Sequence, residues 1–176
     1  MRCFIAVELP KEAKEKVALL QKAIKSRDFF DKKFTEEENL HLTIKFLGEI
    51  DEEKTGKTRQ ALRTIKFSPF TASAEEFGVF SKQAIRIVWL KISGADELQK
   101  KVDEVLSGLF EKEKRFMGHL TIARPKKINQ ENKEPFLKLL SSLKTEKLSF
   151  RVNSFALFKS ELKKEEPYTK IEEFYL

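Results

Sequence analysis

Apolar positions recur along the chain with two periods, about two residues and about 3.6, and the switches between them predict the order of its elements. Residues 3–9 read as a short apolar strand. Pro10 then opens a helix, where its missing N–H costs little, and Ala13, Val17, Leu20 and Ile24 form one apolar stripe. Residues 39–47 read as a strand closed by Gly48, and a polar helix runs from about 51 to 65. Strands follow at 70–80 and 86–93, joined by the polar turn Ser81-Lys82-Gln83. Leu98, Val102, Val105, Leu106 and Leu109 mark an amphipathic helix, and the strand at 117–124 stops at Pro125. Pro135 opens a last helix with Phe136, Leu139, Leu140 and Leu143 on one face, and strands at 148–158 and 168–176 finish the chain. The order is β-α-β-α-β, given twice, with one extra strand. That is an α+β protein whose helices cover the apolar faces of its sheets.

The order repeats because the sequence does. His41-Leu42-Thr43-Ile44 recurs letter for letter as His119-Leu120-Thr121-Ile122, and these are the chain's only two histidines. The same shift carries Phe77-Gly78-Val79-Phe80 onto Phe155-Ala156-Leu157-Phe158, Phe70 onto Leu148, and Phe46 onto Arg124. With a short gap, Arg2-Cys3-Phe4-Ile5-Ala6 aligns with Arg86-Ile87-Val88-Trp89-Leu90. Two copies are too few for a solenoid. They predict one bilobal domain over 1–176 with pseudo-two-fold internal symmetry, the repeats spanning approximately 1–80 and 85–160.

In a strand, residues two apart share a face. His41 and Thr43 therefore project together, with Lys45 at the same parity, while Leu42, Ile44 and Phe46 project the other way. His119 and Thr121 repeat the arrangement over Leu120 and Ile122. A lone strand histidine is usually a satisfied sheet residue; two in one repeated frame read as a matched acid/base pair. Strict parity sends Arg124 away from His119, and only a bulge or the strand's end re-aims it. Phe46 and Trp89 fit the core by parity and surroundings, although Phe46, Trp89 and Tyr168 are all rings able to stack on a nucleobase.

Composition narrows the setting. Hydrophobic residues make up 40% and sixteen Phe supply much of the expected core, enough for one globular domain. No stretch approaches the roughly 20 apolar residues that cross a bilayer, and no apolar segment near residue 1 reads as a secretion signal. The single Cys3 has no internal disulfide partner, which fits a reducing, cytoplasmic setting. The net charge of +7 favours a phosphate-rich partner, and Arg124, Lys126 and Lys127 lie just past the second tetrad.

Two imidazoles across a cleft can divide acid and base work, and each Thr hydroxyl can donate to a phosphate oxygen where charge accumulates. A phosphodiester suits this arrangement, above all a strained 2′,3′-cyclic phosphate opened without a metal. Two His with no Cys partner fall short of a usual zinc ligand set. There is no Walker-type loop, G-x-S-x-G or G-x-G-x-x-G.

The paired H-x-T-x motifs resemble the two-histidine (2H) phosphoesterase superfamily, and within it the RNA 2′,3′-cyclic phosphodiesterases, also called 2′-5′ RNA ligases. The resemblance runs through Met1 to Pro10, Asn39 to Gly48, Gly78-Val79-Phe80, Arg86 to Trp89, His119 to Arg124, and Pro167-Tyr168-Thr169 before Phe174. It implies two antiparallel sheets forming a V-shaped, positively lined central cleft, with helices outside. It implies metal-free hydrolysis of an RNA terminal 2′,3′-cyclic phosphate to a 2′-phosphate, with no cofactor. Some relatives join tRNA halves through a 2′-5′ bond. By the same resemblance His41 is the proton donor, His119 the proton acceptor and Arg124 a phosphate ligand. Thr43, Thr121, Lys45, Phe46 and Tyr168 are the remaining candidates for substrate contact, in a chain expected to be monomeric. Gly118 departs from the family pattern, which often has Pro before the second His. Two other readings stay open: a non-catalytic module gripping single-stranded RNA ends, and the same chemistry on ADP-ribose cyclic phosphate or 2′-5′ oligonucleotides.

Overall fold

The alternating segments form strands and the 3.6-period segments form helices, in the expected order with one division. The computed structural model describes residues 1–30, 33–145, 148–161 and 167–176. Along it run β1 (Arg2–Glu8), α1 (Lys11–Lys25), a short 3₁₀ turn (Glu37–Asn39), β2 (His41–Glu49), α2 (Glu52–Leu62), β3 (Phe70–Val79) and β4 (Val88–Ser93). Then come α3 (Asp96–Val105), β5 (His119–Ala123), α4 (Gln130–Ser142), β6 (Ser149–Val152), β7 (Ser154–Ser160) and β8 (Tyr168–Tyr175).

The strands make two four-stranded antiparallel sheets, ordered β2-β1-β7-β8 and β5-β4-β3-β6. The expected strand at 148–158 is thus two strands in different sheets. β6 pairs with β3 and β7 pairs with β1, and the chain crosses between them at Asn153, whose carbonyl accepts from the Leu176 N–H. The two repeats consequently exchange their third strands. β3, from the first repeat, sits on β4 of the second, while β7 sits on β1. The lobes are interlocked by backbone hydrogen bonds.

Register also corrects the repeat alignment. Glu8 stands opposite His41, and Lys91 stands opposite His119. β1 therefore corresponds to β4 with Ile5 matched to Val88 and Ala6 to Trp89, one residue away from the Arg2-to-Arg86 alignment. Glu8 is neutralised by Lys170 on β8, and Lys91 by Glu75 on β3 at 2.6 Å.

Three helix ends differ from expectation. Pro10 is the cap of α1, extended at φ −66° and ψ 158°, and its carbonyl accepts from the Ala13 and Lys14 N–H groups. Pro135 lies inside α4, which starts at Gln130; the ring forgoes one hydrogen bond to the carbonyl four residues back. α3 ends at Val105, and Leu109 lies in the turn that follows, its N–H on the Leu106 carbonyl. Asp51 caps α2 by accepting from the Lys54 N–H at 2.7 Å.

One large core joins the inner sheet faces to the helix stripes, with Ile5, Leu42, Leu90, Leu98, Leu120 and Phe136 fully buried. A second, small cluster of Phe4, Ala6, Ala156 and Phe158 occupies the opposite face of the first sheet. α3 packs on β2, α4 on β3, and the two histidine strands adjoin. No helix among the described residues is long and apolar enough to cross a membrane.

Candidate active site

A matched pair of bulges decides which side chains reach the space between the sheets. Along β1, Ala6 pairs with Thr43 and Ile5 with Lys45, so Ile44 is the extra residue. Along β4, Trp89 pairs with Thr121 and Val88 with Ala123, so Ile122 is the extra residue. Both H-x-T-x frames are bulged at their last residue. Beyond a bulge the alternation of faces reverses.

Lys45 consequently turns away from His41 and Thr43, contrary to the parity expectation. It is 4% exposed and donates to the Asp103 carboxylate at 2.6 Å and the Glu111 carbonyl at 2.7 Å. It braces the first bulge against α3 and is not among the residues that line the cleft. Phe46 turns the other way, into the open at 64% exposure, contrary to the core expected for it. Arg124 is re-aimed by the second bulge, the condition parity required for it. His41, Thr43, Phe46, His119, Thr121 and Arg124 all line one cleft of about 970 Å³, with Tyr168 on its wall. A separate hollow of about 390 Å³ beside Asp103 and Phe116 contains neither histidine.

The two imidazoles are held alike. His41 Nδ1 lies 2.8 Å from the Asn39 carbonyl, and His119 Nδ1 lies 2.8 Å from the Met117 carbonyl. A carbonyl oxygen only accepts, so each Nδ1 carries the hydrogen. Each Nε2 is then the ring atom left to give or take a proton. Gly118 serves this geometry: a Cβ there would meet the Ile92 carbonyl oxygen at 2.5 Å, and the Ile92 N–H donates to the Gly118 carbonyl at 2.8 Å.

Their surroundings differ. His41 is flanked by Phe4 at 5.0 Å and, edge-on, by Tyr168 at 5.0 Å between ring centroids. Burial, then the charges of Arg124 and His119, lower its pKa to about 4; the Asn39 carbonyl and Glu8 oppose this only in part. In the free protein His41 is therefore neutral at pH 7. His119 meets one ring, Phe80, edge-on at 5.4 Å.

Sequence reasoning missed Phe80, which is 58% exposed in the cleft and backed by Trp89 at 5.9 Å. Its repeat partner Phe158 is buried in the small cluster, stacked on Phe4. Trp89, expected in the core, is half-buried on the cleft side beside Thr121, and its ring fills the space where Gly78 lacks a side chain. Phe4 and the segment Lys33-Phe34-Thr35-Glu36 also line the cleft, and that segment carries no periodic signal.

The Asp103 carboxyl illustrates how the bracing pair is held. Burial alone would raise its pKa, but hydrogen bonds from Lys45, the Glu113 N–H and Gln99 outweigh this and hold it below the usual carboxylate range. Among the described residues, no group of three or more His, Cys, Asp or Glu side chains is placed to hold a metal ion.

A duplicated α+β chain that brings one H-x-T motif from each repeat to a shared cleft has the architecture of a two-histidine phosphoesterase. The chain belongs to the family described as LigT like Phosphoesterase, whose model matches residues 7–89 and 92–168. It is 36% identical over 137 residues to the RNA 2′,3′-cyclic phosphodiesterase of Methanocaldococcus jannaschii, covering 76% of each chain. It is 34% identical over 185 residues to the enzyme of that name from Methanothermobacter thermautotrophicus, covering 100% of this chain and 99% of the relative. The crystal structure of TT0787 of Thermus thermophilus superposes with a TM-score of 0.80 at 26% identity, covering 100% of this chain and 98% of that one. Escherichia coli LigT in apo form shares the fold, with a TM-score of 0.79 at 21% identity, covering 99% of this chain and 96% of that one.

Proposed function

We propose that this protein is an RNA 2′,3′-cyclic phosphodiesterase that opens a terminal cyclic phosphate to a 2′-phosphomonoester. The observation that carries the reading is the matched tethering of the two imidazoles, each with Nδ1–H on a backbone carbonyl and Nε2 free. A module that only gripped RNA ends would have no use for two imidazoles tethered alike.

Thr43, Thr121 and Arg124 hold the non-bridging phosphate oxygens, where charge grows in the transition state. His119 Nε2 takes a proton from water as the water oxygen bonds to phosphorus. The bond from phosphorus to the 3′ oxygen breaks, and His41 Nε2 gives that oxygen its proton. Protonation of His41 belongs to the bound complex. Burial is the largest cause of its depressed pKa, and the substrate anion opposes the field of Arg124, which adds to it.

Phe46 offers a face to the terminal base, and Tyr168 packs His41 in place. A 5′-hydroxyl RNA end in place of water would give a 2′-5′ linkage by the same steps, the joining reaction of tRNA halves. The chemistry uses two imidazoles and an arginine and needs no metal; the protein acts as a monomer in the cytoplasm.

The test is incubation with an RNA ending in a 2′,3′-cyclic phosphate, and separately with 2′,3′-cyclic AMP and ADP-ribose cyclic phosphate, with and without a chelator. The expected product is the 2′-monophosphate, formed fastest from the RNA and unaffected by chelation. A 3′-monophosphate product, activity lost to chelator and restored by one metal, or no turnover would each refute the proposal.

A further inference from the structure

Gln21 sits on the apolar stripe of α1 between Val17 and Ile24 and is 5% exposed. A buried amide is costly unless its hydrogen bonds are made. Both N–H groups of this one find carbonyls: that of Thr35 at 2.8 Å and that of Ile122 at 3.0 Å. Ile122 is the bulged residue of the second histidine strand.

β5 is an edge strand, and the segment 33–35 lies against its outer side. The Thr35 N–H donates to the Ile122 carbonyl at 3.0 Å, the Arg124 N–H donates to the Lys33 carbonyl at 2.7 Å, and Phe34 bridges Ala123. Lys33, Phe34, Thr35 and Arg124 all line the cleft. Gln21 therefore fastens three pieces at one point: a helix of the first repeat, a segment with no regular structure of its own, and the bulge that aims Arg124. A one-residue slip at that bulge would turn Arg124 to the opposite face.

We propose that Gln21, which does not touch the cleft, is a positioning residue for phosphate recognition: by clamping segment 33–35 to the β5 bulge it aims Arg124 at the phosphate. The inference rests on the reading of the cleft as a phosphoester site.

The experiment is a double-mutant cycle on the full chain, with affinity for inorganic phosphate measured by calorimetry and turnover of 2′,3′-cyclic AMP followed in parallel. Gln21→Met keeps the volume and removes both donors. It should weaken phosphate binding by about ten- to a hundredfold, the scale of a small misplacement of a working group. In an Arg124→Ala background it should weaken it no further. Unchanged phosphate affinity in Gln21→Met, or an equal loss with and without Arg124, overturns the proposal, as does a wild-type chain that binds no phosphate. Should Gln21→Met fail to fold, Gln21→Asn, which keeps the donors but is too short to reach both carbonyls, carries the same cycle. Absence of turnover by the wild-type chain would refute the proposed activity alone, because the phosphate arm still decides the role of Gln21.

Discussion

Phe46 and Arg124 are the same position of the internal repeat, and the same bulge, at Ile44 in one copy and Ile122 in the other, turns both into the cleft. One backbone device thus presents a ring from one lobe and a guanidinium from the other. The symmetry of the cleft is broken two residues past the shared motifs, so one cleft can hold a base on one wall and a phosphate on the other.

The two should therefore fail differently. Arg124→Ala should cost about 1.5–3 kcal/mol of transition-state stabilisation, the range for a hydrogen bond to a charged group, seen in kcat/KM and in weaker inhibition by inorganic phosphate. Phe46→Ala should cost about 1–3 kcal/mol, the range for base stacking, seen in nucleotide substrates but not in phosphate inhibition. Steady-state kinetics with phosphate as competitive inhibitor separate them. Equal loss of phosphate affinity in both variants would contradict the division of labour.

His41 should report occupancy of the cleft. In the free protein its imidazole resonances should titrate near pH 4, and inorganic phosphate should move that titration upward, because burial and the Arg124 and His119 charges depress it while an anion opposes those charges. The sign for stability follows. Between about pH 4 and the ordinary value near 6.5 the folded chain binds fewer protons at this site than the unfolded chain, so stability rises with pH across that window. His41→Gln should remove this contribution, leaving a shallower dependence of Tm on pH in the same window. A His41 titration unmoved by phosphate would place the anion elsewhere.

The Lys45–Asp103 pair should matter more when half-broken than when removed. Lys45→Met or Asp103→Leu alone strands a buried charge, at about 3–5 kcal/mol; the double variant should lose less. Asp103 is held below the usual carboxylate range. Its contribution is therefore present above the unfolded value near 3.9 and lost as pH falls through the folded value. Denaturant unfolding at pH 7 and in acid checks both points: the wild type should lose stability in acid that the double variant never had. A double variant weaker than either single would refute the pairing.

Much of this molecule is legible in local pattern. The repeated His-Leu-Thr-Ile frame, the alternation that puts His and Thr on one face, and the helix stripes are properties of short segments, and each survives in the structure. The contact from each His Nδ1 to the carbonyl two residues back is equally local.

The remainder depends on which strand lies alongside which. Alternation runs from Leu148 to Val152 and breaks at Asn153-Ser154, but the break does not tell that Ser149–Val152 pairs with β3 while Ser154–Ser160 pairs with β1. A bulge is a mismatch of count between two strands, so neither strand alone announces it. For that reason alternation alone puts Lys45 in the cleft and Phe46 in the core, and each lies on the other side. Gln21 reads as one polar residue in an apolar stripe until the carbonyl 101 residues away is brought to it. The His-Thr pairs were written in the chain; the partner strands, through their register, decided what stands beside them.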